Sequence, residues 1–333
     1  MTSMQHKFGA LDLIRAGLQD LDKARTLFDE LYNDGIDGDR MRLLLATLEK
    51  ACDPDIALSN LVDIIKVMQS QGKDFTNIIA DENSFVRLIT VLGVSDEMGK
   101  LMRFRPELVE AAANDVCESH LYNHEQRKAH VLKSVGADPN DHAMPTASLP
   151  LAEAATALRK TYRKQLSAIM AQDATVNDPI EIQPRISTEL SDLADAALEG
   201  ALAIARHEVD GSEHVRFAII GMGKLGAQEL NYVSDVDLIY VVEPADADTN
   251  GMTLSRIGTK MATTLQRVCQ SVIMGVAEPT LWQIDGGLRP EGKDGPLVRR
   301  LESHEAYYEQ WAENWEFQAL LKARPVAGDT DLG

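Results

Sequence analysis

The sequence predicts an α+β chain in which a helical N-terminal region precedes a mixed β-sheet flanked by helices. Two observations predict this class. From Leu11 to about Lys133, apolar residues recur at spacings of three and four, as in 41–48 and 58–67, which is the period of an amphipathic helix. From Val215 onward, short β-branched runs follow the period of a strand, with helical segments between them.

Breakers and a linker divide the chain into regions. The segments 34–38 and 53–55 fit connections between helices, and Arg105-Pro106 fits the start of another helix. The stretch 136–150 holds three prolines and several small polar residues, which is typical of a linker. The predicted regions are therefore a helical domain at 1–145 and a second domain at 146–325.

The second domain alternates helices with short strands. The predicted elements, in order, are helices at 151–172 and 186–208, strands at 215–220 and 236–242, a helix at 253–274, a strand at 280–285 and a helix at 303–322. On the last helix the recurrence of Tyr308, Trp311, Trp315 and Ala319 predicts a core face. Beyond it, Lys322 and Arg324 could bind phosphate or equally neutralise a helix C-terminus.

Composition excludes several classes of protein. The formal net charge is -19 over 333 residues, which argues against a general nucleic-acid binder, although a local basic patch lies between Arg289 and Arg300. No apolar run approaches the roughly 20 residues that cross a bilayer, and the N-terminus lacks the pattern of a signal peptide. We therefore expect a cytoplasmic protein without a membrane partner. Three scattered cysteines, Cys52, Cys117 and Cys269, predict neither a metal knuckle nor a disulfide framework.

The first chemical signal is a glycine turn between a strand and a short helix. Gly221-Met222-Gly223-Lys224 ends the strand that begins at Val215, so backbone N–H groups and a lysine would face an anion there. A Gly-x-Gly pair alone is more typical of a structural turn, and this one lacks the spacing of a dinucleotide-binding or Walker loop. The phosphate interpretation therefore depends on the residues that follow.

Three carboxylates provide the second signal. Asp235 and Asp237 stand two apart in a predicted strand, which places them on one face while Val236 and Leu238 point into the core. An Asp-x-Asp pair alone is usually a solvated strand edge, and a lone Asp before glycines, such as Asp285, is usually a turn former. Together with the glycine turn they predict an oxygen-ligand site for two divalent cations, which can clamp the oxygens of an in-line phosphoryl displacement.

These residues resemble the nucleotidyltransferase motif of the glutamine synthetase adenylyltransferase family, within the DNA polymerase beta superfamily. The resemblance is carried by 221–226, 229–239, 288–298, Tyr307-Tyr308, Trp315-Glu316 and 320–328, and upstream by 87–95 and 105–107. It implies a polymerase-beta-like domain in which Asp235, Asp237 and Asp285 are catalytic metal ligands. It also implies that residues 326–333 begin a further helical bundle. It also implies that nucleotide or phosphate is bound by Gly221, Gly223, Lys224, Ser234, Arg289 and Lys293. Gly286-Gly287 departs from the family pattern, which more often has a larger or polar residue there.

The family is built from two similar halves, and the loop Arg289-Pro290-Glu291-Gly292 with Gly295-Pro296-Leu297-Val298 is similar to the first half. This implies removal of AMP from a tyrosine of glutamine synthetase by phosphorolysis, with phosphate as nucleophile and ADP as product. The implied cofactor is magnesium in a two-metal site, or manganese in its place, with phosphate and ADP or ATP as substrates. The implied partners are adenylylated glutamine synthetase and a PII-type nitrogen regulatory protein.

Two alternatives stay open at this point. The same metal site could run forward as an ATP-dependent adenylyltransferase acting on glutamine synthetase, because both directions use in-line displacement. A non-catalytic module that binds nucleotide or a PII-type protein is the other alternative. Three intact aspartates argue against that module, since a pure scaffold has no need for uncompensated carboxylates at one site.

Overall fold

The computed structural model describes residues 8–73, 75, 78, 80–113, 123–176, 178–246 and 250–333. The chain forms two compact units, Met1–Leu121 with Lys164–Ile182 and Tyr122–Arg163 with Gln183–Gly333. The expected boundary lies near residue 145, whereas two of the observed divisions, after Arg163 and after Ile182, fall inside long helices. Cys117 and the rest of 114–122, part of the region expected to be helical, lie outside the described residues.

Among the described residues of the first unit, all regular secondary structure is helical. Its helices are α1 (Ala10–Arg15), α2 (Leu21–Asn33), α3 (Gly38–Leu48), α4 (Pro54–Ser70), α5 (Glu82–Val94), α6 (Asp96–Phe104) and α7 (Glu107–Ala113). The segments 34–38 and 53–55, predicted as connections between helices, contain the residues at which the next helices begin. The Asp37 carboxylate accepts from two N–H groups of α3, and Asp53 caps α4 ahead of Pro54. Leu44, Leu58 and Leu92 are fully buried in this core.

The second unit begins with helices and ends with a sheet. Its helices are α8 (His124–Ser134), the first part of α9 (Leu151–Thr175), most of α10 (Pro179–Glu208), α11 (Gly223–Gly226), α12 (Gly251–Gln270), α13 (Leu301–Gln310) and α14 (Asn314–Leu320). Its strands are β1 (Val215–Gly221), β2 (Val236–Pro244), β3 (Ile284–Asp285), β4 (Val298–Arg299) and β5 (Arg324–Gly328). Across the described residues, every helix is too short or too polar to span a lipid bilayer.

The five strands form a mixed sheet, which confirms the predicted α+β class. Their order is β3-β2-β1-β5, with β4 also paired to β2. β1 is antiparallel to β2 and to β5, whereas β3 and β4 run parallel to β2. Val236 and Leu238 are fully buried, as their alternation with the aspartates predicts. Because β1 and β2 are antiparallel, the start of β2 and the end of β1 lie side by side at the same end of the strands.

The predicted core face on the last helix is wrong. The segment expected as one helix is interrupted after Gln310, and α14 starts anew with a capping box between Glu313 and Glu316. The break removes the common helical face on which the prediction depended. Trp311 is 73% exposed and Trp315 is 54% exposed, while Tyr308 and Ala319 are half-buried.

Two further elements differ from expectation. The strand expected over 280–285 contracts to Ile284–Asp285. Residues 324–328 form β5, whereas 326–333 were expected to begin a helical bundle. The backbone of β5 pairs with β1, so this segment completes the sheet instead of leaving it.

Candidate active site

The glycine turn lies directly against Asp237. Gly223 has φ 51°, in the left-handed region that favours glycine, and the N–H of Met222 donates to the backbone carbonyl of Asp237 at 2.9 Å. A Cβ added to Gly223 would collide with Oδ2 of Asp237. The helix that follows, α11, has four residues, so it presents only the N–H groups of a single turn beside the exposed Lys224.

The parallel pairing of β2 with β3 brings two of the aspartates together. Asp237 and Asp285 are register partners on adjacent strands, so their side chains leave the same face of the sheet. Asp235 is exposed just before β2, and Asp237 is half-buried. Burial raises the pKa of Asp237, and the negative charges of Asp285 and Asp235 raise it further, while Lys224 opposes them. The three carboxylates and the lysine thus share one electrostatic environment.

The cationic loop after β3 is organised by its own arginine. Arg289 donates to the backbone carbonyls of Gly286, Lys293 and Gly295 at 2.7 to 3.2 Å. Most of its guanidinium N–H groups therefore stabilise the loop itself. Lys293 on the same loop is exposed, and Ser234 donates its hydroxyl proton to the carbonyl of Asp235 at 3.0 Å.

Side chains that the sequence did not single out bind the end of α12 and the segment that leads to Asp285. The N–H of Ile284 donates to Oε1 of Gln270 on α12 at 2.7 Å. Arg159 is buried and donates to the carbonyls of Val268, Ser271 and Glu278, at the end of α12 and in the segment leading to β3. Burial lowers the pKa of Arg159, and the charges of Cys269 and Glu278 oppose this shift. No local motif marks such residues, since their acceptors are backbone carbonyls distant in sequence.

A second acidic cluster lies behind the glycine turn. Among the described histidine, cysteine, aspartate and glutamate side chains, one group of three has ligand atoms that all lie within 4.8 Å of one another: His124, Asp192 and Asp195. The oxygens of the three sheet aspartates are more widely spaced. The spacing of this cluster could hold a cation, but protein groups already occupy it. His124 pairs with Asp192 at 3.3 Å, and Arg324 binds both oxygens of Asp195. Hydrogen bonding to Asp192 raises the pKa of His124.

Comparison with known proteins identifies the family. The profile of glutamate-ammonia ligase adenylyltransferase matches residues 85–333, which include the glycine turn and all three sheet aspartates. The chain belongs to this family. The match therefore covers the part of the chain that carries the candidate site.

Curated members of the glutamate-ammonia ligase adenylyltransferase family resemble the whole chain. The bifunctional glutamine synthetase adenylyltransferase/adenylyl-removing enzyme of Bifidobacterium longum is 72% identical over 333 residues, covering 100% of this chain and 31% of the relative. The enzyme of the same name from Cutibacterium acnes is 40% identical over 324 residues, covering 97% of this chain and 32% of the relative. The chain therefore spans about a third of the length of these relatives.

Proposed function

We propose that this chain carries the site that removes AMP from an adenylylated tyrosine of glutamine synthetase by metal-dependent phosphorolysis. The observation that carries the proposal is the register pairing of Asp237 with Asp285 beside Gly223 and Lys224, within the region that matches the family. The names of these relatives include both adenylyl transfer and adenylyl removal. The direction proposed here rests on the resemblance of the loop 289–298 to the first half of the family.

The residues present suit a hard divalent cation. Asp235, Asp237 and Asp285 offer only oxygen ligands. The pKa of Asp237 is raised by burial and then by the negative charges of Asp285 and Asp235, and a bound cation would offset those charges. These three aspartates would hold magnesium, or manganese in its place. When bound, the metal would polarise the phosphoryl group and neutralise negative charge that develops on the leaving tyrosine oxygen.

The remaining residues bind and orient phosphate groups. The N–H groups of Gly223 and Lys224 open the first turn of α11, where a helix has no internal acceptors for them. The exposed ammonium of Lys224 adds a positive charge beside Asp237. Arg289 shapes the loop that presents Lys293, and the oxygen of Ser234 retains acceptor capacity for a substrate hydroxyl.

In the proposed reaction, an oxygen of inorganic phosphate attacks the phosphorus of the AMP group in line with the bond to tyrosine. The new P–O bond yields ADP, and the bond to the tyrosine oxygen breaks, so that unmodified glutamine synthetase is released. Positioning and charge neutralisation supply the catalysis, and no protein general acid is required at the leaving oxygen. A PII-type regulatory partner and a cytoplasmic location belong to the same proposal through the family resemblance.

The test is to mix the chain with adenylylated glutamine synthetase and magnesium and to measure ADP at varied phosphate. The Asp235→Asn/Asp237→Asn/Asp285→Asn variant is the matched control, and a parallel assay follows label from ATP into unmodified synthetase. Phosphate-dependent ADP release that is lost in the variant supports the proposal. Label incorporation without ADP release would establish the forward transferase instead. Nucleotide binding with no turnover in either direction would favour a non-catalytic module.

A further inference from the structure

Arg324 at the start of β5 connects a buried carboxylate to the glycine turn. Its Nη1 donates to Oδ2 of Asp195 at 2.5 Å, and its Nη2 donates to Oδ1 at 3.1 Å. The same guanidinium donates to the carbonyl of Leu225 at 3.1 Å and to that of Gly226 at 3.3 Å. One side chain therefore ties α10, through Asp195, to the C-terminal carbonyls of α11.

The short helix α11 needs such external support. A single turn of helix has few internal hydrogen bonds, and its last carbonyls lack partners within the helix. The backbone of Arg324 is also the register partner of Gly221, the residue that begins the turn. Arg324 consequently contacts the turn at both ends, through its backbone before α11 and through its side chain after it.

Neighbouring contacts extend the same anchorage. Gln228, which has φ 57°, donates from Nε2 to Oδ1 of Asp192 at 3.1 Å, and the N–H of Leu230 donates to the hydroxyl of Ser191 at 3.3 Å. A Cβ at Gly226 would collide with the carbonyl of Lys322, so the chain after α11 lies directly on the segment that leads into β5. The segment 225–230 is thus fixed on both α10 and β5.

The charge of Arg324 is already balanced inside the protein. The side chain of Asp195 has 0% exposure, and burial raises its pKa to about 6, which the Arg324 guanidinium opposes. By contrast, the nearby cation Lys322 pairs with the exposed Glu229 at 2.7 Å. The sequence left two roles open for these cations. The contacts favour helix neutralisation for Arg324, with α11 as the helix concerned.

We infer that Arg324, anchored on Asp195, is a positioning residue that fixes α11 and thereby places Lys224 and Gly223 against Asp237. The inference rests on the proposed function, because it assigns Arg324 a role in building the metal and phosphate site. Arg324 touches neither the three sheet aspartates nor Lys224 by any hydrogen bond, so it acts through the backbone of α11. Its loss should displace the turn without removing a ligand.

Three variants test this role. Arg324→Lys keeps a positive charge beside Asp195 but cannot bond the carboxylate and both α11 carbonyls at once. Arg324→Met removes the charge, and Lys322→Met is the matched control two residues away. We expect Arg324→Lys to weaken binding of ADP with magnesium, and to raise KM for phosphate, by about 10- to 100-fold, as losses in outer-shell support do. Lys322→Met should leave both quantities within about twofold, since exposed pairs contribute little.

A second measurement keeps this test separate from the proposed reaction. Amide resonances of Gly223 and Lys224 in a two-dimensional nitrogen-15 spectrum should shift in Arg324→Lys and stay in place in Lys322→Met. If the parent chain releases no ADP, the proposed reaction fails while these shifts still support the positioning role. Unchanged resonances with parental ADP binding in Arg324→Lys would overturn it. An equal loss in Lys322→Met would also overturn it, because a general charge effect would then suffice.

Discussion

Asp237 is the residue at which burial and like charge act together, and its removal should separate stability from function. In Asp237→Asn, the repulsion from Asp285 and Asp235 disappears, so the metal-free protein should melt at the parental temperature or above it. Magnesium-dependent turnover should fall by at least about 100-fold, since a direct ligand matters more than the outer-shell groups whose loss costs 10- to 100-fold. Thermal melts and ADP release measure the two effects.

The pH dependence of the same variant follows from the direction of the pKa shift. The folded protein raises the pKa of Asp237 above its ordinary 3.8, so the native state binds more protons than the unfolded state in that range. The contribution of Asp237 to the free energy of unfolding therefore falls as pH rises from 3.8 through the raised pKa, and Asp237→Asn should lack this fall. Asp294→Asn, an exposed carboxylate on the following loop, is the control. A lower melting temperature together with retained turnover would show that Asp237 is structural.

Gly223 is a second residue with a sharp prediction. Gly223→Ala places a methyl group against the Asp237 carboxylate and holds alanine at φ 51°, which should cost about 1 to 3 kcal/mol of stability. Turnover should fall as well, because the carboxylate must move. Gly251→Ala, at the start of α12 where an added Cβ meets nothing within 4 Å, is the matched control. Chemical denaturation compares the two, and equal stability for both variants would contradict the close approach.

The residues that could be predicted are those with a local signature. Alternation with Val236 and Leu238 was enough to place Asp237 on the open face of the sheet, and the glycine spacing indicated the turn. The partners of Arg159 and Arg324 could not be predicted, since the backbone carbonyls to which they donate are more than 90 residues away in sequence. A charged side chain alone does not reveal whether it will bind a substrate or the backbone.

At the scale of elements, the helical period of the sequence predicted that a helix forms, but not where that helix is interrupted. The spacing of aromatic residues over 303–322 fits one helix, yet the chain breaks after Gln310 and restarts at Asn314. The side chain of Glu316 accepts both from the Tyr307 hydroxyl at 2.9 Å and from the N–H of Glu313 at 2.7 Å. These polar bonds stabilise a corner that a pattern of apolar residues cannot indicate.

The short strand β3 depends on a neighbouring helix, which makes its support testable. Gln270→Met keeps the volume of the side chain but leaves the N–H of Ile284 without its acceptor, at a cost of about 1 to 3 kcal/mol. We expect weaker magnesium-dependent turnover, because Asp285 follows Ile284 directly. Gln266→Met is the control one turn earlier on α12, where the side chain bonds the Tyr240 hydroxyl. Loss of turnover in Gln266→Met but not in Gln270→Met would contradict this account.

At the scale of the whole molecule, the candidate site belongs to one unit. All residues of the site lie within Tyr122–Arg163 and Gln183–Gly333. The linker at 136–150 was predicted from its proline content. The two units instead divide within the long helices α9 and α10, so that different parts of one helix belong to different units. In the first unit Ala171 of α9 joins the buried core, whereas Arg159 of the same helix serves the second unit. Composition marks loops, and it cannot show that one helix belongs to two cores.

The dependence of stability on pH provides a test of packing in the second unit. Burial and, after it, the charge of Arg299 lower the pKa of His304 on α13 to about 4, while a hydrogen bond with the Tyr240 backbone opposes them. The Nε2 atom of His304 is buried and has no hydrogen-bond partner among the residues that the structure describes. The unfolded chain therefore binds more protons than the native protein between the ordinary pKa of 6.5 and about 4.

It follows that the free energy of unfolding should fall as pH drops from 6.5 towards 4, by about 3 kcal/mol for full protonation of His304. His304→Gln, which keeps a neutral polar group, should remove this fall in denaturation curves measured across the interval. His214→Gln is the matched control, because Asp246 raises the pKa of the exposed His214 and its contribution is instead lost as pH rises. The two variants should therefore change the pH profile in opposite directions. A parental acid profile in His304→Gln would show that the imidazole is protonated or hydrated in the native state, and the packing of α13 on β2 would need revision.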